Sequence, residues 1–197
     1  MRIGVRLTQL IVGLAIYGLG IALMVTAHIG IAPWDIFAQG LSYQLKISYG
    51  WASVIVSMIV LLCWIPLKIK PGIGTVLNAV GIGLFADIWM PFLPKFDNQV
   101  GKYLEFVIGL VVVAFATGMY IGSNFGSGPR DGLMVGTQRL LGWPFWLVRT
   151  MYEATVLTIG WLMGGNVGVG TIIFAVCIGY LMQLSMKLFG VPIKKRK

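Results

Sequence analysis

Residues 30–40 read GIAPWDIFAQG, and residues 126–136 read GSGPRDGLMVG. Both carry Gly-x-x-Pro-x-Asp with a further Gly, spaced identically, at an offset of 96 residues. The motif has the logic of a helix start. Gly permits unusual backbone angles, Pro suits the first turn where its missing N–H costs nothing, and Asp complements the positive end of the dipole. Pro33 and Pro129 should therefore open two helices, with Asp35 and Asp131 in their first turns. These helices, over 32–46 and 128–142, are short and polar-spotted. Fifteen helical residues reach only about 22 Å against a hydrocarbon core of about 30 Å. They are expected to be re-entrant, half-membrane helices.

The chain around them is strongly apolar. Of 197 residues, 58% are hydrophobic, 12% aromatic and 11% charged, and the mean hydropathy is +0.89. That excludes an ordinary cytosolic protein, a disordered chain, collagen and a disulfide scaffold. The 27 glycines are ordinary for packed membrane helices, where small residues let backbones approach. Six stretches match the roughly 20 apolar residues of a span: 8–27, 49–67, 73–92, 103–122, 143–163 and 167–189. The first lacks a small-residue cleavage site after it and is expected to be retained rather than removed as a signal peptide. Cys63 and Cys177 lie inside apolar runs and read as buried small hydrophobes. With one histidine, no metal or haem spacing can be assembled, and no cofactor is expected.

The net charge of +9 comes from fifteen Lys and Arg against six Asp and Glu. The basic residues sit mainly at span ends and in a tail, Lys194, Lys195, Arg196 and Lys197. Such clusters fit attraction to anionic lipid better than binding to nucleic acid, which is not expected. With the N-terminus inside, eleven cations fall on the inner side and Lys46, Lys95 and Lys102 on the outer. An eight-span chain, in which both short segments cross, gives the same tally. Charge places both termini in the cytoplasm; segment length favours six spans.

Gly72-x-Gly74-Thr75 recurs as Gly168-x-Gly170-Thr171 at the same offset, and residues 8–93 match their counterparts at seventeen positions. A duplication follows: repeat 1 over 1–95, repeat 2 over 97–191, and a basic cytoplasmic tail over 192–197. Each repeat holds a span, a short helix and two spans. Three crossings are odd, so the second copy should lie upside down. The expected fold is all-α: a polytopic helical membrane protein of six transmembrane spans plus two short re-entrant helices, in two inverted repeats. Inverted repeats are common in secondary transporters, whose sites lie near the midplane where interrupted helices meet.

An ionisable residue inside a membrane is costly and is a functional candidate by default. Asp35 and Asp131 qualify, with local capping as the plainer alternative. His28 aligns with Asn124 just before the motif, and Trp34 aligns with Arg130. Two carboxylates, a guanidinium and the helix starts at Pro33 and Pro129 would suit a polar or zwitterionic solute, with an Asp or His28 taking a coupling proton. Arg149 and Glu153 share a helix face as an i,i+4 pair and are expected to line a cavity. Their counterparts, Ser53 and Ser57, read as interhelical hydrogen-bond glue. Asp87, late in its span, reads as interfacial, and Asn78 and Glu105 as isolated polar residues. The Gly-x-Gly-Thr copies lack the Lys and preceding strand of a phosphate loop and read as close packing or a turn. No nucleophile elbow or His-Glu-x-x-His occurs, and neither Asp has the Gly-x-Gly-Asp context of an intramembrane protease, so no enzyme is expected.

The runs GIALMVTAHIGIAPWDIFAQGLS, GSNFGSGPRDGLMVGTQRL and GGNVGVGTIIFAVCIGYLMQ resemble the bacterial YczE/YyaS/YitT group of integral membrane proteins. The resemblance covers nearly the whole chain. It implies a multi-pass protein of the bacterial cell membrane and supplies neither substrate nor site residues. The expected role is a secondary transporter or exporter of a small polar solute, with the lipid bilayer and that solute as partners. The competing roles are a substrate-binding membrane subunit of an ATPase-energised importer and a non-transporting scaffold or regulator. Small-residue faces such as Gly13 to Gly18 are compatible with a homo-oligomer.

Overall fold

The computed structural model describes residues 3–191, and at residues 145 and 146 the backbone alone. Arg2 and the basic tail lie outside the described residues. Among those described there are eight α-helices and no strand: α1 (Ile3–Thr26), α2 (Pro33–Leu45), α3 (Tyr49–Leu62), α4 (Ile73–Trp89, continued by a 3-10 turn, Met90–Phe92), α5 (Gln99–Gly122), α6 (Pro129–Leu141), α7 (Phe145–Leu162) and α8 (Val169–Leu188). Prolines open α2 and α6, each 13 residues long with its aspartate in the first turn.

Among the described residues, four helices are long and apolar enough to cross a membrane: α1, α4 with its 3-10 turn, α5 and α8. Helices α2 and α3 pass only as a pair bent by 115°, making a fifth candidate. That is fewer than the six spans expected. The expected span over 49–67 ends early. Pro66 has no N–H to extend the ladder and disfavours helix at the residue before it. The chain instead leaves α3 through turns in which Trp64 and Ile65 donate to Leu61 and Leu62. At 14 residues, α3 is about 21 Å long. Helix α7 carries Arg149 and Glu153 in its middle, which lowers its apolarity.

Helices α1 and α5 pack closely and run antiparallel. Arg6 donates to the carbonyls of Ser123 and Asn124, each at 2.9 Å, Gln9 donates to Met119, Gly20 lies against Gly109, and Thr26 donates to Glu105 at 2.6 Å. By contrast, α1 runs parallel to α4, with Leu14 beside Gly81 and Gly18 beside Phe85. Helix α5 runs parallel to α8, with Gly118 beside Ser185 and Gly122 beside Phe189. Large apolar side chains point outward along these helices, among them Ile11, Val107, Val111, Ile172 and Val176. A continuous apolar exterior is the surface lipid requires.

The two duplicated motifs meet each other across the halves. The loop before α2 is held by the start of α8, where Gly170 N–H donates to the Ile29 carbonyl at 2.7 Å. The loop before α6 is held by the start of α4, where Gly74 N–H donates to the Phe125 carbonyl at 3.0 Å and the Thr75 hydroxyl donates to Ser127 at 2.8 Å. Gly30 and Gly126 sit at φ of 106° and 125°, a region essentially closed to other residues. A Cβ at either would press on Thr171 or Thr75 respectively. The Gly-x-Gly-Thr copies thus clasp the loop that launches the short helix of the opposite half.

Packing elsewhere is unequal. Gly50 on α3 lies against Gly83 on α4. Asp87 accepts from the Ser48 hydroxyl and from the Gly50 N–H, the latter at 2.7 Å. At the corresponding positions of the second half stand Pro144 and Gln183. Among the described residues, Gly179, the counterpart of Gly83, has nothing within 4 Å of where a Cβ would lie, and α7 shows no comparable packing on α8. Helix α2 rests directly on α7 at Gly160, whereas Trp64, at the matching position, wedges against Gly132 of α6.

Candidate functional site

The starts of α2 and α6 come together in the interior. The Arg130 guanidinium lies 2.9 Å from the Asp35 carboxylate, which also accepts from the Tyr49 hydroxyl at 3.1 Å. Asp35 is 3% exposed. Its carboxylate binds the opposite short helix through an ionic hydrogen bond, the stronger kind in a low-dielectric interior. Arg130 also stands 5.6 Å above the Trp34 ring, within cation–π range. Trp34 and Arg130 hold the same place in the two motif copies, so the duplicated positions contact each other. The Trp34 ring also lies beside Tyr152, with ring centroids 6.4 Å apart.

A polar cavity opens beside this bond. Its walls come from all eight helices, including Pro33, Asp35, Pro129, Arg130, Asp131, Arg149 and Glu153. About 110 Å³ is open to the centres of water-sized spheres, room for on the order of ten waters or a solute of similar size. Arg149 donates to Glu153 at 2.8 Å, and both side chains remain partly exposed. Ser53 and Ser57 line the same wall, so the serines expected to bind neighbouring helices face the cavity with their charged counterparts.

His28 and Asn124 take no part in the wall. Both are exposed and sit in the left-handed region, at φ of 54° and 56°. Polar residues are tolerated there better than β-branched or bulky ones. They turn the chain into the motif, outside the cavity wall. Asp87, expected at the interface, caps the start of α3 as described above. Glu105, 3% exposed, accepts from Thr26 through one oxygen while the other has no partner among the described residues.

Several wall residues carried no sequence signal. Tyr17, Thr117 and Tyr120 line the cavity from α1 and α5, and Tyr49 reaches Asp35 from the bend between α2 and α3. Tyr49 and Tyr120, near the ends of their helices, are indistinguishable in sequence from interfacial anchors. Asn78 did carry one: an amide in the middle of an apolar run, aligned with Phe174 in the second half.

A family model described as a family of unknown function, DUF6198, matches residues 4–187. An uncharacterised protein of Haemophilus influenzae is 36% identical over 181 residues, covering 92% of this chain and 83% of its own. The uncharacterised membrane protein YczE of Bacillus subtilis is 34% identical over 183 residues, covering 92% and 85%. The uncharacterised protein YyaS of the same organism is 30% identical over 176 residues, covering 87% of each. No solved structure matches.

Proposed function

The chain belongs to the DUF6198 family of membrane proteins, and we propose that it is a secondary carrier moving a small polar solute across the cell membrane, with both termini in the cytoplasm. The observation that carries this is the Asp35–Arg130 bond, which joins two interrupted helices at the wall of a polar cavity. A bundle that only had to fold would gain more from apolar packing at that point, because burying an ion pair costs desolvation.

Six crossings arranged as two inverted repeats fit this role. The antiparallel course of α1 and α5 supports an inverted relation between halves, as does the reciprocal clasp of each motif loop by the opposite half. A helix too short or too polar to span alone is tolerated where it lines a cavity within a bundle. The unequal packing supports alternating access. The end held by Ser48, Gly50 and Asp87 is shut, and the end between α7 and α8 is parted. With the termini inside, the parted end faces the cytoplasm, and transport would rock one half against the other.

The test is reconstitution of the purified chain into proteoliposomes and measurement of solute-driven currents or counterflow across cationic, zwitterionic, anionic and neutral small solutes. Flux that Asp35→Asn and Arg130→Gln abolish supports a carrier. No flux above empty liposomes for any class would leave a scaffold. Cysteines at positions 46 and 139, labelled from one side, decide the crossing number. Opposite sides give six spans, and the same side gives eight.

A further inference from the structure

The two motif aspartates are in different hands. Asp35 is engaged by Arg130 and Tyr49. Asp131 belongs to neither ion pair among the described residues. Beside it, the Asn78 amide oxygen and the Tyr120 hydroxyl each lie 3.4 Å from the point a Cβ on Gly128 would occupy, and an Asp131 carboxylate oxygen lies 3.5 Å from it. All three residues line the cavity. The side chain–side chain hydrogen bonds around it run Tyr49–Asp35, Arg130–Asp35 and Arg149–Glu153, and these three residues enter none of them. Asn78 is 8% exposed and Tyr120 3%, so both place polar atoms in the interior, while Asp131 stays exposed where the cavity meets solvent. The matching positions around Asp35 carry Phe174 and Met24, which offer no oxygen acceptor.

Resting on the carrier reading of this cavity, we propose that Asn78, Tyr120 and Asp131 hold the primary ammonium group of the transported solute. Three acceptor oxygens converge where a primary ammonium presents three N–H donors, and the carboxylate adds a charge-assisted bond. The charge balance agrees: the wall holds Asp35, Asp131 and Glu153 against Arg130 and Arg149, one negative charge in excess. The cavity limits the solute to on the order of ten non-hydrogen atoms.

The experiment uses the detergent-purified full chain in phosphate buffer without amine buffers, and follows its heat unfolding with n-butylamine, n-butyltrimethylammonium, n-butanol or butyrate. Butylamine alone is expected to raise the unfolding midpoint. Asp131→Asn should weaken its apparent affinity at least tenfold. Should that variant not fold, Tyr120→Phe, which removes one oxygen, should weaken it about fivefold. An equal response to the quaternary ion or to butyrate overturns the proposal, as does no response to butylamine or an unchanged affinity in the variants. The carrier reading fails separately: an amine that binds but is not moved in proteoliposomes leaves this site standing. Flux of a neutral or anionic solute indifferent to Asp131→Asn leaves only the carrier.

Discussion

Arg130, in the first turn of the second short helix, donates to Asp35 in the first turn of the first at 2.9 Å. The two residues are 95 apart in sequence, and each belongs to a different copy of the same motif. Asp35→Asn would leave the guanidinium, itself a quarter exposed, without its counter-charge, a loss of about 2 kcal/mol. Arg130→Gln should cost a similar amount, and the double variant clearly less than the sum, since residues in contact do not add. Unfolding of the single and double variants in detergent measures the coupling, and strict additivity would show that the bond carries no energy.

Arg149→Gln and Glu153→Gln should behave differently. The pair is partly exposed and its net worth is about 0.5 kcal/mol. Unfolding should barely move, while solute flux falls at least tenfold because the charges face the cavity. A variant with normal flux would mark the pair as structural.

Asp87→Ala removes the acceptor for Ser48 and for the Gly50 N–H. The loss of a helix cap costs about 1–2 kcal/mol. The start of α3 should loosen from α4, seen as faster amide exchange at residues 50 to 52 with little change in α8. Uniform acceleration along the chain would mean a global loss of stability in place of an opened end.

His28→Asn should be silent. Asn occupies the matching left-handed position at 124 and suits it well, so stability should change by less than about 1 kcal/mol. Flux and its pH dependence should stay as they were. A lost or shifted pH profile would restore His28 as a proton carrier.

Much of this was legible in the sequence because a membrane constrains residues one at a time. Scarce Pro and Asp in apolar surroundings marked the short helices, and period-free apolar runs marked long ones. The i,i+4 spacing of Arg149 and Glu153 gave their bond directly, since helix geometry is local. Span number was less legible. Runs 49–67 and 143–163 have the composition of a crossing, but a proline turn ends α3 at Leu62 and two partly exposed charges, Arg149 and Glu153, sit in α7. The partners of Asp87 were not legible for a related reason: the start of α3 comes near it only when α3 folds back on α4.

Composition sufficed to mark a helical membrane protein, and the 96-residue echo two copies of one motif, because apolarity, proline and glycine act through the backbone and solvent at each position. Which aspartate meets an arginine and which instead faces Asn78 and Tyr120 depended on where the halves touch. That was decided by side chains far apart in the chain, with Trp64, Gly160, Tyr49 and Asn78 breaking the equivalence that the repeated motif by itself would have predicted.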